Sequence, residues 1–451
     1  MDSTAQRIWA LTLASGTAVT TAPHTRAAMR IRARYPSPTF PRSRLWGRVL
    51  GVEGLDMGAS LVGGGPVAQS PQTHDAPGTG ARVRARGRGQ DPTTTRPGFD
   101  WHPDYGGGVA RAQGIVHPLT GAALFLVMTL REGGEAAVRD TLQDLQGIRR
   151  SVGFRTPGGQ LDGVVGVGSD AWDRLYSGPR PAKLTPFDPP AGERHAAPAT
   201  PGDLLFHVRS DSMGVCFELG QQILARLAGA VDVVDETHGF RFYEQRDLLG
   251  FVDGTENPEA EDAVRAAIID DADPFVAGGS YVMVQKYLHD MDAWNALSTG
   301  EQERVIGRSK LDDIEMPDAV KPANSHVALN DLDDAPDGTP REILRANMPF
   351  GELGAGEFGT YYIAYAADPD ITMEMLRNMF VGNPPGNYDR ILDFSNAVTG
   401  TTFFCPSIDF LESPPPAPHL AGDDDLPAPT PSAPVDASGS LGIGALGRNH
   451  R

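Results

Sequence analysis

Asp253 is the one acid in the apolar first half of the turn Gly250-Phe-Val-Asp-Gly-Thr-Glu-Asn-Pro258. A carboxylate placed beside a reacting group can take up a proton and hand it on. His326, in Asn324-Ser-His-Val327, follows 73 residues later, and Arg345-Ala-Asn-Met-Pro-Phe-Gly351 begins 19 residues beyond that. A guanidinium cannot serve as a base, but it stabilises negative charge that develops in a reaction. It also favours the ionised form of a nearby acid against the opposite push of burial. Asn347, two residues from Arg345, faces the same side if the segment is extended, where its amide would position a small polar molecule. Each residue also has a plainer reading: a structural Asp-Gly turn, a surface ion pair for Arg345, a turn residue ahead of Met348-Pro349 for Asn347. A histidine beside apolar residues is often a satisfied structural group, and no second His or Cys stands at zinc spacing from His326.

Taken together, Gly250-x-x-Asp253-Gly254-Thr255, the later His326 and Arg345-x-Asn347 resemble the signature of the dye-decolourising haem peroxidases, in the bacterial B-type branch. The resemblance spans roughly residues 112–412. It implies one haem b per chain, with His326 as proximal iron ligand, Asp253 as proton shuttle, Arg345 as charge stabiliser and Asn347 as a positioning group. The implied reaction is reduction of hydrogen peroxide at the expense of aromatic dyes, phenols or similar one-electron donors, in a homo-oligomer. An axial histidine needs an acceptor on its other ring nitrogen. Asp389 and Asp393, in Asn387-Tyr-Asp-Arg-Ile-Leu-Asp-Phe394, are the candidates, although Asp389 reads equally as the cap of a helix. Arg209, in His207-Val-Arg-Ser210, is a candidate partner for a haem propionate, against the habit of strand-end arginines to reach into solvent. Trp294, Tyr287 and Tyr281 would suit a relay of oxidising equivalents, but their apolar neighbours favour core packing. A plant-type peroxidase would place a distal histidine near the arginine; Asp253 stands there instead, and an acid optimum is expected. The rivals are a chlorite-dismutase-like or deferrochelatase-like activity on the related fold, and a haem carrier or storage protein without turnover. A carrier needs neither Asp253 nor Arg345.

These residues need a scaffold, and the periodicity supplies one. Gly121–Leu130 is a compact apolar run of strand type, and Val138, Leu142, Leu145, Ile148 and Val152 recur at helical spacing. Strands at Leu161–Val167 and Asp203–Arg209, a short helix opened by Ser169-Asp170, a helix over Val215–Ala230 and a strand over Val231–Tyr243 complete a β-α-β-β-α-β order. The second half repeats it with strand Ser280–Tyr287, helix Met291–Val305, strand Gly359–Tyr365, helix Thr372–Phe380 and strand Thr401–Cys405. Two tandem ferredoxin-like α+β domains, over 106–243 and 244–412, are therefore expected. The resemblance implies the same fold and puts the haem in the C-terminal domain.

Outside that body the composition changes. Residues 1–100 carry 13 Arg, no Lys and six acids, a net of +7, so the other 351 residues of the 451 carry −26 of the total of −19. An acidic body is a poor partner for nucleic acid. Residues 1–105 lack sustained periodicity and are expected to be a disordered basic extension. Ile8–Ala14 is apolar but too short, and too poor in flanking basic residues, to read as a signal peptide or membrane span. Cys216 and Cys405 lie 189 positions apart inside apolar segments and are expected to be buried thiols of a reducing compartment, which makes the cytoplasm the default location. Residues 413–434 hold eight prolines and the run Asp423-Asp-Asp425, so 413–438 reads as an extended acidic linker. Beyond it, Gly439-Ser-Leu-Gly-Ile-Gly-Ala-Leu446 resembles the peptides that load cargo enzymes into encapsulin nanocompartments, with Leu441, Ile443 and Leu446 as the side chains that would enter a groove on the shell.

Overall fold

The computed structural model describes residues 109–157, 159–270 and 272–418. The expectations for 1–105, for most of the 413–438 linker and for the 439–451 tail lie outside those residues.

Strand β1 (Ala122–Leu130) is buried on both faces, as an almost unbroken apolar run requires of a central strand. It lies between β4 (Val231–Phe240) and β3 (Leu204–Ser210), antiparallel to both, and β3 continues to β2 (Leu161–Val167). The second half builds a matching quartet from β5 (Ser280–His289), β6 (Leu344–Arg345), β8 (Glu357–Ala366) and β10 (Thr401–Cys405), in the sheet order β10-β5-β8-β6. Counted along the chain, each quartet runs fourth, first, third, second, so the two halves share one ferredoxin-like order. The short strands β7 (Met348–Glu352) and β9 (Ser395–Ala397) add to β8 and β5. Val167 of β2 opposite Phe404 of β10 joins the quartets into one ten-stranded sheet.

Helices α1 (Glu135–Gln143), α2 (Leu145–Gly153), α3 (Ser169–Leu175) and α4 (Met213–Arg226) close one core against the first quartet. Trp172 on α3 meets the rings of Phe404 and of Phe410 on the C-terminal helix at centroid distances of 5.6 and 5.1 Å, tying the end of the second half into the first. The second half carries α5 (Ala260–Ala267), α6 (Met291–Ala296), α7 (Thr299–Ile306), α8 (His326–Asn330), α9 (Pro369–Phe380) and α10 (Ile408–Glu412). Among the described residues no helix is long and apolar enough to cross a membrane, and both cysteines are buried and free.

Three departures from the periodicity have local causes. The run from Val138 to Val152 is two helices, α1 and α2, meeting at Asp144, whose backbone leaves the helical region. The segment expected as one helix over Met291–Val305 breaks at Leu297, and Ser298 starts a new helix through a reciprocal capping box with Glu301. The second strand of the C-terminal quartet was invisible as a pattern. It is two residues long at Arg345, is interrupted at Ala346-Asn347, and resumes as β7 with Pro349, which has no N–H to give a ladder.

Gly359 on β8 lies where three strands crowd together. A methyl group there would collide with the Tyr287 carbonyl oxygen of β5 and the Phe350 ring of β7. Gly359→Ala should therefore destabilise the protein by about 1–3 kcal/mol, whereas Gly354→Ala, which points into open space, should be close to neutral. Chemical denaturation of the two variants beside the parent tests this; equal midpoints for both would mean that β8 has room to shift.

Candidate active site

The Asp253 turn is a small hairpin. Asp247 N–H donates to Phe251 O at 2.9 Å and Asp253 N–H donates to Gln245 O at 2.8 Å. Gly254 then takes φ +89°, a left-handed conformation that side chains disfavour, and sends the chain away from the acid. Both Asp253 carboxylate oxygens accept from Asn347 Nδ2, at 3.1 and 3.0 Å. Asn347 Oδ1 in turn accepts the Ile363 N–H of β8 at 3.0 Å, which fills the ladder gap between β6 and β7 with a side chain.

Arg345 is pinned from both sides. Its backbone lies opposite Ala364 of β8 on one edge. On the other, Asn257 imitates a strand, donating from Nδ2 to Arg345 O at 2.8 Å and accepting Arg345 N–H on Oδ1 at 3.0 Å. The guanidinium is thereby presented to an interior cavity, where its Nε is buried without a hydrogen-bond partner among the described residues.

His326 opens α8. Ser325, fully buried, caps that helix by accepting Ala328 N–H. His326 Nδ1 lies 2.7 Å from Asp389 Oδ2. Asp389 has no exposed surface and fills both roles open to it: Oδ1 caps the turn Arg390–Asp393 through Ile391 N–H at 3.0 Å, while Oδ2 faces the histidine. Asn330 donates to His326 O at 2.7 Å and approaches the same Asp389 oxygen at 3.4 Å. Burial pushes the imidazole pKa down, but the charge and hydrogen bond of Asp389 reverse this, and the net shift is upward. No protein group engages the remaining nitrogen, Nε2, among the described residues. Asp393, the other candidate acid, faces His195, Arg194 and Tyr388 instead.

Asp253, His326, Arg345 and Asn347 line one cavity of about 920 Å³ of atom-free space, walled by apolar side chains such as Phe251, Ile306, Leu376 and Met379. A second space of about 1090 Å³ adjoins it and shares Asp253, His326 and Arg345. A second histidine, His289, also lines the main cavity. Its nitrogens are taken by Ser395 at 2.8 Å and Thr360 at 3.0 Å, and burial pushes its pKa down to about 4, so it is a neutral, occupied group. The donor set thus fits a large apolar group that needs one histidine ligand on a basic imidazole, with polar chemistry supplied by the Asp–Asn–Arg cluster.

Not every expected residue comes to the cavity. Arg209 is 1% exposed on β3, where it donates to the carbonyls of Gly114 and Ile115 and lies 3.8 Å from Asp162. It lines no part of the cavity and is placed to hold the 114–117 segment, because its strand points it inward across the N-terminal half. Trp294 is fully buried with its indole N–H on Leu249 O, and Tyr281 is also buried away from the cavity; of the three aromatic candidates only Tyr287 lines it. Asn257, Asn330 and Asp247 were missed. Asn257 stood inside the quoted turn, but nothing in its neighbours signals that its amide would grip a strand 88 positions away.

Asp247 lines the main cavity six residues before Asp253, and its Oδ1 accepts the N–H groups of Gly250 and Phe251. Burial, helped by the neighbouring Asp253 charge, pushes its pKa up to about 7 against the pull of those two bonds. The native apoprotein therefore holds a proton that the unfolded chain releases near pH 4, and stability falls as pH rises from about 4 to about 7. Asp247→Asn keeps the acceptor oxygen and removes the titration. It should leave the apoprotein unchanged near pH 4 and stabilise it at pH 8, as read from melting temperatures; an equal effect at both pH values would show that Asp247 does not titrate in this range.

Models of two families match the chain, Dyp-type peroxidase, N-terminal, over residues 112–241, and Dyp-type peroxidase, C-terminal, over residues 244–410. A dye-decolorizing peroxidase of Mycolicibacterium paratuberculosis is 60% identical over 335 residues, covering 74% of this chain and 92% of that protein. Among solved structures, the encapsulated DyP-type peroxidase from Mycobacterium smegmatis superimposes with a TM-score of 0.67 at 61% identity, over 69% of this chain and all of that one. A DypB variant from Rhodococcus jostii RHA1 in complex with haem gives a TM-score of 0.66 at 55% identity, over 67% of this chain and 99% of that one. With both halves of the sheet matched and the Asp253, His326 and Arg345 motifs gathered in one cavity, this chain belongs to the Dyp-type peroxidase family.

Proposed function

We propose that this chain is a haem peroxidase of the dye-decolourising type, which reduces hydrogen peroxide and oxidises aromatic dyes, phenols or similar one-electron donors. The observation that carries the reading is one cavity faced by a histidine whose Nδ1 is held by a buried acid, together with a carboxylate, an amide and a guanidinium, the histidine Nε2 and the guanidinium Nε having no partner among the described residues. Haem, when bound, supplies the redox-active iron at which peroxide is reduced and through which donors lose single electrons. His326 would hold that iron through Nε2, and Asp389 fixes the Nδ1–H tautomer and keeps the imidazole electron-rich. Asp253 accepts the proton of bound peroxide and returns it to the departing oxygen. Asn347 holds the Asp253 carboxylate in place with both oxygens engaged, and Arg345 offers positive charge where negative charge develops. A carrier would need only the histidine side of this cavity.

His326→Ala should lose most of the haem, read as the ratio of Soret to protein absorbance, and an unchanged Soret band would overturn the ligand assignment. Arg345→Leu and Asp253→Ala should keep their haem but consume peroxide more slowly, by about 10²–10³-fold for the lost charge and about 10²–10⁴-fold for the lost acid–base group. Stopped-flow traces matching the parent for both variants would remove the cluster from the chemistry.

The M. smegmatis relative is described as encapsulated, and the tail of this chain supports the same fate. Leu441, Ile443 and Leu446, spaced by small residues at the end of a Pro-rich acidic tether, suit a peptide laid into a groove of an encapsulin shell. Full burial of each would contribute roughly 1.5–3 kcal/mol, reduced by the entropy lost when a peptide is fixed in a groove. Firm capture then comes from several tails of a homo-oligomer meeting several grooves. Truncation after Glu412 should leave haem content and turnover intact and abolish co-purification with a co-expressed shell protein. Equal packaging of the truncated and full-length chains would show that the tail carries no address.

A further inference from the structure

A cavity of about 610 Å³ lies between the loop 183–188, strands β5 and β10 and the start of α9, and none of its lining residues lines the main cavity. Its floor is apolar, built from Leu184, Phe187, Met283, Met373 and Phe403. Two of these are methionines, whose side chains adapt to irregular partners. The loop that walls it is held in place: Tyr281 Oη accepts the Lys183 N–H at 3.2 Å, and Thr402 Oγ1 donates to Thr185 O at 3.3 Å. The rim is acidic. Lys183 Nζ donates to Asp368 at 2.5 Å and to Asp370 at 2.7 Å, and Asp188 is exposed with no counter-charge among the described residues, so three acids meet one cation.

The described chain leaves the body close to this cavity. Pro415 O accepts from Arg139 Nη2 at 2.8 Å, and Pro416 O accepts the Ser177 N–H at 2.9 Å, six residues before Lys183. Residues 419–438 follow, enough to span roughly 60–70 Å when extended, so reach is no obstacle. The peptide beyond them offers Leu441, Ile443 and Leu446 to an apolar floor, and Arg448 and Arg451 to an acidic rim.

Resting on the reading of the tail as a loading peptide, we infer that this cavity holds the chain's own residues 441–451 while no shell is present, with the apolar side chains on the methionine floor and the two arginines against Asp188, Asp368 and Asp370. The tether supplies this occupant at a roughly millimolar effective concentration, so a contact of modest affinity keeps the cavity filled. A shell groove must then displace the peptide. With the tail docked about nine-tenths of the time, a single groove meets it at about one-tenth of its intrinsic affinity. Several grooves acting on several tails overcome that penalty, whereas a lone apolar surface does not.

A nitroxide on Asn449→Cys in the haem-loaded, full-length enzyme reads the docking, since both native thiols are buried. The immobilised fraction of its spectrum should be about nine-tenths, and should fall to about one-tenth when Met373→Lys puts a charge on the floor. Asp188→Lys, which reverses an exposed rim charge, should lower it by a smaller factor and carries the test alone if the Met373 variant does not fold. Soret band, haem content and peroxide turnover should be unchanged in both. A label equally mobile with and without these substitutions would overturn the docking. In enzyme assembled from isotopically heavy and light subunits, photo-cross-links from p-benzoylphenylalanine in place of Leu446 should reach residues 183–188 or 369–373 of the same subunit. Cross-links joining heavy to light subunits would overturn the assignment to the chain's own tail and give the cavity to that of a second copy. Equal packaging of the chain truncated after Glu412 would instead overturn the loading-peptide reading, and the label spectra would still decide the docking.

Discussion

The contact on which the site depends is the one between His326 Nδ1 and Asp389. A carboxylate with no exposed surface is costly unless its lone pairs are engaged, and here the Ile391 N–H, the Asn330 amide and the His326 ring share that work. The arrangement fixes three separate elements at once: the start of α8, the end of α9 through Asp389 N–H on Met379 O, and the turn at Arg390. It also distinguishes the two histidines of the cavity. His289 faces the same cavity with both nitrogens occupied and a pKa pushed down to about 4, whereas His326 keeps one nitrogen free and its pKa is drawn upward.

The opposite chemistry is positioned by amides. Asn257 and Asn347 each use a side chain where a regular sheet would use backbone, and between them they fix Arg345 and Asp253 across a strand that is only two residues long. A longer, regular strand would have been more stable as a ladder and would have left no gap for the Asn347 amide to reach the acid. The irregularity at Ala346-Asn347 is thus what brings the carboxylate, the amide and the guanidinium to one surface. Around them the walls are apolar, which strengthens each electrostatic interaction within and raises the pKa of the neighbouring Asp247.

Strong periodic segments made most of the fold legible in the chain. Buried runs such as Ala122–Leu130 and Leu161–Val167 and the helical spacing of Val138 to Val152 identify two similar α+β halves without reference to contacts. Helix breaks at Asp144 and Leu297 and the short strand at Arg345 were not legible, because each is decided by a cap or a partner residue rather than by a pattern. The motif residues Asp253, His326, Arg345 and Asn347 were named because their type, order and spacing resemble the signature of one family; each taken alone also had a structural reading.

Which atoms meet was a different matter. Asp389 and Asp393 lie four positions apart with equal claims by sequence, and only the turn that Asp389 caps directs its second oxygen to His326 while sending Asp393 toward His195. Arg209 read as a partner for an anion in the cavity, yet its strand delivers it to the 114–117 carbonyls. The amino-acid sequence by itself determined the two-fold repeat of the sheet and the set of reactive side chains, because hydrophobic period and residue chemistry are local. Tertiary structure decided their pairing, because a hydrogen bond between residues 63 or 94 positions apart depends on where two separate elements come to rest.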